Sequence, residues 1–93
     1  MIITYRNKET ENAAKGKFGK RIPANIRKRA KMRLDRINAA VELNDLMVPP
    51  SHKLHALHGN RKGQQAIWIN GQFRICFKWV DGNAYEVEIT DYH

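Results

Sequence analysis

The sequence has a single cysteine, Cys76, and no apolar run that approaches the length of a membrane-spanning helix. One cysteine cannot form an internal disulfide, and about 20 apolar residues are needed to cross a bilayer. The chain does not open with the charged and then apolar pattern of a signal peptide. We therefore expect a cytoplasmic protein that does not associate with a membrane.

The usual signatures of nucleotide and redox cofactors are also missing. There is no phosphate-binding glycine loop, no dinucleotide-binding glycine pattern and no Cys-x-x-Cys pair. We expect no cofactor. Chains split into several cores only well beyond about 200 residues, so the 93 residues should form a single domain over positions 1–93.

Acidic residues are scarce, and the resulting positive charge is unevenly distributed. The whole chain carries a net charge of +8. Residues 1–40 hold twelve basic and three acidic side chains, whereas residues 41–93 hold five and six. A basic surface attracts polyanions through counterion release, which makes nucleic acid the leading partner class. An anionic membrane surface or an acidic protein would fit the same charge.

The N-terminal half is predicted to be helical after a short strand at Ile2–Tyr5. A first helix is expected over Asn7–Lys15, with Asn7 as its N-cap and an ion pair between Glu11 and Lys15. A second helix begins at Pro23, and its apolar residues recur at helical spacing to form one stripe. The stripe consists of Ile26, Ala30, Leu34, Ile37 and Val41.

The C-terminal half is predicted to be an antiparallel meander. Asn70-Gly71 favours a two-residue type I′ turn, which would pair Trp68 with Phe73 and Ile67 with Arg74.

The next turn contains Asp81, Gly82 and Asn83. We predict a three-residue loop here, because Trp79 then faces Tyr85, whereas a two-residue loop would place Phe77 opposite Glu86.

These registers give the sheet two unlike faces, of which the apolar one should pack on the helical stripe. The apolar face comprises Trp68, Phe73, Ile75, Phe77, Trp79, Tyr85, Val87 and Ile89. The polar face comprises Gln72, Arg74, Cys76, Lys78, Glu86, Glu88 and Thr90, with Tyr92 continuing its parity and Lys78 paired with Glu86. The predicted fold is α+β.

Two groups of residues have more than one interpretation. Arg29, Arg33 and Arg36 share one flank of the second helix, either as a solvated face or as a phosphate-binding surface. His52, His55 and His58 recur three apart and could share one edge of a helical turn. In that arrangement they could bind zinc. They could instead belong to an exposed basic loop, or act as acid–base and phosphate-contacting groups. No cysteine or carboxylate lies near them in sequence, so we expect no metal.

RNA cleavage by transesterification needs a base, an acid and cations that offset charge on the phosphate. Arg74 on the polar face matches the geometry of a phosphate. Tyr92, His93 and the loop histidines His55 and His58 would supply proton carriers near it.

Three segments resemble the HigB group of the RelE toxin superfamily. They are the run from Lys53 to Gly63, the run Phe73-Arg74-Ile75-Cys76-Phe77, and the closing Glu88-Ile89-Thr90-Asp91-Tyr92-His93. This resemblance implies a RelE-like fold in which two helices pack on an antiparallel sheet. It also implies an endoribonuclease toxin that cuts mRNA in the A site of the 30S ribosomal subunit. A HigA-like antitoxin with a helix-turn-helix domain would neutralise it.

The resemblance, carried over by position, also suggests residue roles. The catalytic positions are His55, Arg74, Asp91, Tyr92 and His93. One of His55 and His93 would act as base and the other as acid. Arg74 would stabilise the phosphorane, and Asp91 would orient a histidine. Tyr92 would stack on the substrate nucleotide or hydrogen-bond to it.

Basic residues outside this set are expected to bind RNA. Those of the histidine loop would contact substrate, namely Lys53, His58, Arg61 and Lys62. Several relatives have lysine at the position of His58, which leaves its role open between charge and proton transfer. Those of the helical half would contact 16S ribosomal RNA, namely Lys15, Lys17, Lys20, Arg21, Arg29, Arg33 and Arg36. The alternative functions are a non-catalytic regulator that binds RNA or DNA, and a ribonuclease that needs no ribosome.

Overall fold

The computed structural model describes residues 1–92, so the predicted role of His93 lies outside the described residues. Two helices, α1 (Lys8–Ala14) and α2 (Ala24–Ala39), precede a four-stranded antiparallel sheet. Its strands are β1 (His55–Ala56), β2 (Gln65–Trp68), β3 (Phe73–Val80) and β4 (Asn83–Asp91), in that spatial order. None of the helices within residues 1–92 has the length and hydropathy needed to cross a membrane. The predicted α+β fold is confirmed.

Local signals determine both helices. The Asn7 carboxamide accepts the Thr10 amide at 2.8 Å, so the predicted N-cap of α1 is confirmed. Residues Ile26, Ala30, Leu34 and Ile37 of α2 are buried against the sheet. Val41 does not belong to this stripe, because α2 ends at Ala39 and leaves Val41 75 % exposed.

The N-terminal segment runs beside β4 without forming a full strand. It makes isolated parallel bridges from Ile2 to Ala84 and from Tyr5 to Val87. The Ile3 amide donates to the Ala84 carbonyl at 2.8 Å, and the Arg6 amide donates to the Val87 carbonyl at 3.0 Å. The predicted strand at Ile2–Tyr5 is thus an extended edge segment that pairs at two points.

The first hairpin differs from its predicted register by one residue. Trp68 pairs with Arg74, and the Ile69 amide donates to the Phe73 carbonyl at 2.9 Å, which leaves a three-residue loop at 70–72. The loop is stabilised by Asn70, whose side-chain oxygen accepts the amides of Gln72 at 2.8 Å and Phe73 at 2.7 Å. The predicted type I′ turn is wrong because this side chain caps the loop.

The second hairpin has a two-residue loop followed by a bulge. Val80 pairs with Asn83, and the loop residues Asp81 and Gly82 have φ of 50° and 81°. The predicted three-residue loop is therefore wrong near the turn. A bulge at Glu86, whose φ is 53°, adds one residue to β4.

Beyond the bulge, Ile75 pairs with Ile89 as predicted. The bulge also keeps Glu86 within 2.8 Å of Lys78, so the predicted ion pair is confirmed.

The two corrected registers move two aromatic side chains to the polar face of the sheet. Directly paired residues point to the same side, so Trp68 lies with Arg74 and Tyr85 lies with Lys78. The sequence pattern wrongly predicts both in the core. Ile67 and Ile69, which pair with Ile75 and Phe73, are buried in the core instead.

Removing the loop cap should destabilise the fold. We expect Asn70→Ala to lower the free energy of unfolding by about 1–2 kcal/mol, because the amides of Gln72 and Phe73 lose their acceptor. Asn70→Asp keeps an acceptor oxygen and should lie within about 0.5 kcal/mol of wild type. Urea denaturation measures both. Equal losses in the two variants would contradict this role of the side chain.

Candidate active site

The polar face of the sheet centres on a stack of one cation and two aromatic rings. The guanidinium carbon of Arg74 lies 3.9 Å from the ring centroid of Trp68 and 5.4 Å from that of Tyr92. Its Nη1 donates to the Asn70 carbonyl at 2.7 Å, which fixes the guanidinium beside the hairpin loop. An arginine held in this way keeps further N–H groups for an incoming phosphate.

The C-terminal segment reaches this stack through contacts with the hairpin loop. The Tyr92 amide donates to the Gln72 carbonyl at 2.6 Å. The Tyr92 hydroxyl lies 3.9 Å from Sγ of the buried Cys76. Burial and the neighbouring Cys76 raise the pKa of Tyr92 despite the opposing charges of Arg61 and Arg74. The phenol therefore stays protonated at neutral pH and can donate a hydrogen bond.

Arg61 is a second cation on this face. Its Nη1 donates at 3.1 Å both to the Gln64 side chain and to the Glu88 carboxylate. Burial acts to lower the pKa of Arg61, but Cys76, Glu88 and Tyr92 outweigh it and raise that pKa. Arg61 is thus anchored by Glu88 beside Tyr92, rather than projecting freely from the loop.

Strand β1 brings His55 to the same face. His55 pairs with Ala66, which pairs with Cys76, and directly paired residues share a face. The exposed ring has Nδ1 at 2.8 Å from the Lys53 carbonyl. Since a carbonyl only accepts, Nδ1 carries the proton in the neutral ring and Nε2 is left as an acceptor. A histidine in this tautomer can act as a general base.

Lys53 contributes charge at the edge of the stack. Its Nζ lies 3.9 Å from the Trp68 ring centroid, the same distance as the Arg74 guanidinium. The other predicted loop residues, His58 and Lys62, are exposed.

Asp91 lies on the other face of the sheet. It pairs with Phe73, a core residue, whereas Arg74 pairs with Thr90. Its Oδ1 accepts from the Gln72 side chain at 2.9 Å, and it lines a cavity of about 340 Å³ with Asn7, Glu9 and Arg21 among others. The fold therefore does not bring Asp91 into the stack, and its role in orienting a histidine stays a prediction.

The three evenly spaced histidines do not form one site. His52 ends a short 3-10 helix and is fully buried, with Nδ1 at 3.0 Å from the Leu46 carbonyl. His55 belongs to β1 and His58 caps another 3-10 turn. The helical turn considered for them is wrong. Within residues 1–92, no cluster of histidine, cysteine and carboxylate side chains is arranged to hold a metal ion.

The basic residues of the helical half lie in two regions. Those at the connection between α1 and α2 are exposed to solvent, namely Lys15, Lys17, Lys20 and Arg21. The arginine flank instead packs towards the hairpin and the linker. Arg29 donates to the Ile69 carbonyl at 3.3 Å, and Arg36 donates to the Val48 carbonyl at 2.6 Å.

Comparison with known proteins identifies the family. The family model described as "RelE-like toxin of type II toxin-antitoxin system HigB" matches residues 5–93. This chain is a HigB-family toxin. It is 34 % identical to Toxin HigB-1 of Vibrio cholerae serotype O1 over 85 residues, or 90 % of each chain. It is 31 % identical to Endoribonuclease HigB of Proteus vulgaris over 93 residues, or 100 % of each chain.

The fold of the toxin also matches solved structures. A crystal structure of a YafQ variant from E. coli superposes with a TM-score of 0.68 at 17 % identity, covering 98 % of this chain and 91 % of that one. At this identity, the match concerns the fold alone. It supports the arrangement of two helices on an antiparallel sheet.

The sequence does not predict the contacts of two residues of the site. Its pattern places Trp68 in the core and gives Gln72 no contact with the C-terminal segment. The sequence does contain a signal for the position of Trp68. A three-residue loop pairs Ile67 with Ile75 and Ile69 with Phe73, which brings these apolar residues together and leaves Trp68 on the polar face. No local pattern reveals the Gln72 contacts, since they join positions 19 and 20 residues apart.

Protonation of His52 should destabilise this toxin in acid. Burial lowers the pKa of His52 below 6.5, despite the opposing effect of its hydrogen bond to Leu46. The unfolded chain thus binds a proton more readily than the native state, so the free energy of unfolding falls as the pH drops below about 6.5. We expect His55→Gln to retain this pH dependence and His52→Gln to lose part of it, as measured by urea denaturation from pH 7.5 to 5. Equal slopes in the two variants would contradict the assignment.

Proposed function

We propose that this toxin is an endoribonuclease that enters the ribosomal A site and cleaves mRNA there by acid–base transesterification. The observation that carries the proposal is the arginine stack, in which the Arg74 guanidinium lies 3.9 Å from the Trp68 ring centroid and 5.4 Å from that of Tyr92 on the open face of the sheet. The name of the Proteus vulgaris relative supports the reaction class. Membership of the HigB family supports action as a toxin.

The proposed reaction needs no group beyond side chains. A base removes the proton of a 2′-hydroxyl, whose oxygen attacks the adjacent phosphorus. The bond from phosphorus to the 5′-oxygen breaks, and an acid protonates that oxygen. The products are a 2′,3′-cyclic phosphate and a 5′-hydroxyl. Arg74 offsets the charge that grows on the phosphoryl oxygens in the transition state.

The histidines carry the proton transfers in this proposal. His55 is suited to be the base, because its Nδ1 is bound to the Lys53 carbonyl and its Nε2 is left as an acceptor. His93 would then act as the acid, with Asp91 orienting its ring. Tyr92, protonated and partly exposed, would stack on the substrate nucleotide or hydrogen-bond to it.

Basic side chains around the stack would hold the RNA. We assign contacts with substrate to the loop residues Lys53, His58, Arg61 and Lys62. Contacts with ribosomal RNA fall to the exposed residues Lys15, Lys17, Lys20 and Arg21. A ribosome that presents mRNA in a fixed position would supply part of the rate enhancement through orientation alone.

The family name implies an antitoxin partner. We propose that this partner is a HigA-like protein with a helix-turn-helix domain, and that the toxin acts in the cytoplasm, where ribosomes are found. The positive surface of residues 1–40 suits an acidic antitoxin segment.

One experiment separates this proposal from its rivals. Purified toxin is incubated with bare mRNA and with ribosomes programmed with the same mRNA, and the cuts are mapped. Cuts only on ribosomes, within the A-site codon, support the proposal. Equal cutting of bare RNA indicates a free ribonuclease, and binding without any cuts indicates a regulator.

Arg74→Ala should reduce single-turnover cleavage by at least about 100-fold, because the phosphorane loses its guanidinium. Lys78→Ala is the matched control, since Lys78 is a cation of the same strand that is paired with Glu86. We expect the control to cleave within about twofold of wild type. The role of Arg74 fails if Arg74→Ala retains wild-type activity while remaining folded.

Loss of either proposed proton carrier should also reduce cleavage. His55→Gln and deletion of His93 are each expected to lower the single-turnover rate by about 10²–10⁴-fold at pH 7, without changing the thermal midpoint by more than a few degrees. The pH profile of each variant should lose one limb. A variant that keeps both limbs would remove that histidine from the mechanism.

A further inference from the structure

A basic cleft adjoins the arginine stack. It lies between α2 and the β2–β3 hairpin and has a volume of about 280 Å³. Its lining includes Arg29, Arg33, Ser51 and Lys53. Trp68 belongs to both places, because its ring also lines this cleft and stacks with Arg74. An RNA strand bound at Arg74 would therefore meet this cleft after passing a single side chain.

The cations in the cleft have no anionic partner among residues 1–92. Neither Arg29, Arg33 nor Lys53 forms an ion pair with a described carboxylate. Nε of Arg33 is buried and has no hydrogen-bond partner within this range. Its Nη2 makes one long contact, 3.4 Å to the Ser51 hydroxyl. A buried donor without a partner destabilises the native state.

The electrostatics of the cleft favour an anion. Burial and the like charges of Arg29 and Arg36 lower the pKa of Arg33. A phosphate in the cleft would relieve this repulsion. Arg36 is not part of the cleft, because its guanidinium is bound to the Val48 carbonyl at 2.6 Å.

We propose that the cleft lined by Arg29, Arg33, Ser51 and Lys53 binds a phosphate of the RNA substrate that flanks the scissile phosphate. This inference rests on the proposed function, of which it names a substrate subsite. The cleft serves binding and alignment rather than proton transfer, since none of its lining residues is a general acid or base at neutral pH. It assigns Arg29 and Arg33 to the substrate strand instead of ribosomal RNA.

A single RNA strand suits the cleft better than other polyanions. Arg29 donates to the Ile69 carbonyl of the hairpin and Arg33 to the Ser51 hydroxyl of the linker, so both guanidinium groups reach across the cleft from α2. A flat anionic membrane cannot enter a space between a helix and a hairpin. An RNA strand carries one phosphate per nucleotide and exposes bases that can stack on an aromatic ring such as Trp68.

The test uses a short single-stranded 2′-O-methyl oligonucleotide, which binds but cannot undergo transesterification. We expect Arg33→Gln and Arg29→Gln each to weaken its binding by roughly tenfold at low salt. Each should also reduce the slope of log affinity against log salt by about 0.7, the value for one phosphate contact on a single strand. The thermal midpoint of Arg33→Gln should stay level or rise, because a poorly satisfied buried cation has been removed.

The matched control is Lys8→Ala, which removes one charge from the exposed side chain of a residue on α1. It should leave affinity and salt slope near wild type. Equal weakening by Lys8→Ala would show a diffuse charge effect and overturn the subsite. Wild-type affinity in both arginine variants would overturn it too. So would arginine variants that lose binding to phosphatidylserine vesicles but keep wild-type affinity for the oligonucleotide. A lower thermal midpoint in Arg33→Gln with an unchanged salt slope would assign Arg33 a structural role instead.

Cleavage assays keep this inference separate from the proposed function. If the subsite is correct, Arg33→Gln raises KM for ribosome-bound mRNA by several-fold and changes kcat by less than about twofold. If only the subsite is wrong, Arg33→Gln cleaves as wild type does while Arg74→Ala remains impaired. If the toxin itself cuts no RNA under any condition, the proposed function fails first, and this subsite fails with it.

Discussion

The pairing of Trp68 with Arg74 across β2 and β3 determines what the open face of the sheet can do. Paired residues share a face, so this register brings a guanidinium and an indole together at 3.9 Å. A shift of one residue would pair Arg74 with Ile67 and send Trp68 into the core. The register depends on Asn70, whose carboxamide caps the loop while its carbonyl holds the Arg74 guanidinium.

The same loop organises the C-terminal segment. Gln72 accepts the Tyr92 amide through its backbone and donates to Asp91 through its side chain. Tyr92 is thereby held near Arg74 although it follows the last strand. The helices contribute from the other side of the sheet, since the buried face of α2 covers the core and its arginine flank reaches the hairpin. One loop therefore connects the arginine stack, the C-terminal segment and the basic cleft.

Much of the fold could be predicted because its signals are local. The cap at Asn7, the spacing of apolar residues in α2 and the alternation along β3 each depend on neighbours within a few residues. The parity of the polar face predicts that Tyr92 lies near Arg74, and the structure places its ring centroid 5.4 Å from the guanidinium. The family resemblance also groups Asp91 with them, but alternation along β4 places it on the other face.

The rest required information that no short pattern holds. Asn70-Gly71 is compatible both with a type I′ turn and with a three-residue loop that the Asn70 side chain caps. The three-residue loop is the one that pairs Ile67 with Ile75, and this preference emerges only when both hairpins are considered together. The bulge at Glu86 depends on the N-terminal segment, since the Glu86 amide donates to the Thr4 hydroxyl at 2.8 Å. The spacing groups His52 with His55 and His58, whereas the structure buries His52 with its Nδ1 at 3.0 Å from the Leu46 carbonyl.

The central claim is that the open face of the sheet activates a 2′-hydroxyl against the neighbouring phosphate. The most direct measurement is the chemistry of the fragment ends after cleavage of ribosome-bound mRNA. Transesterification predicts 5′-hydroxyl ends and 2′,3′-cyclic phosphates, and no cutting of an mRNA that carries 2′-deoxyribose at the scissile nucleotide. Fragments with 5′-phosphate ends, or unchanged cutting of the deoxy substrate, would contradict the claim.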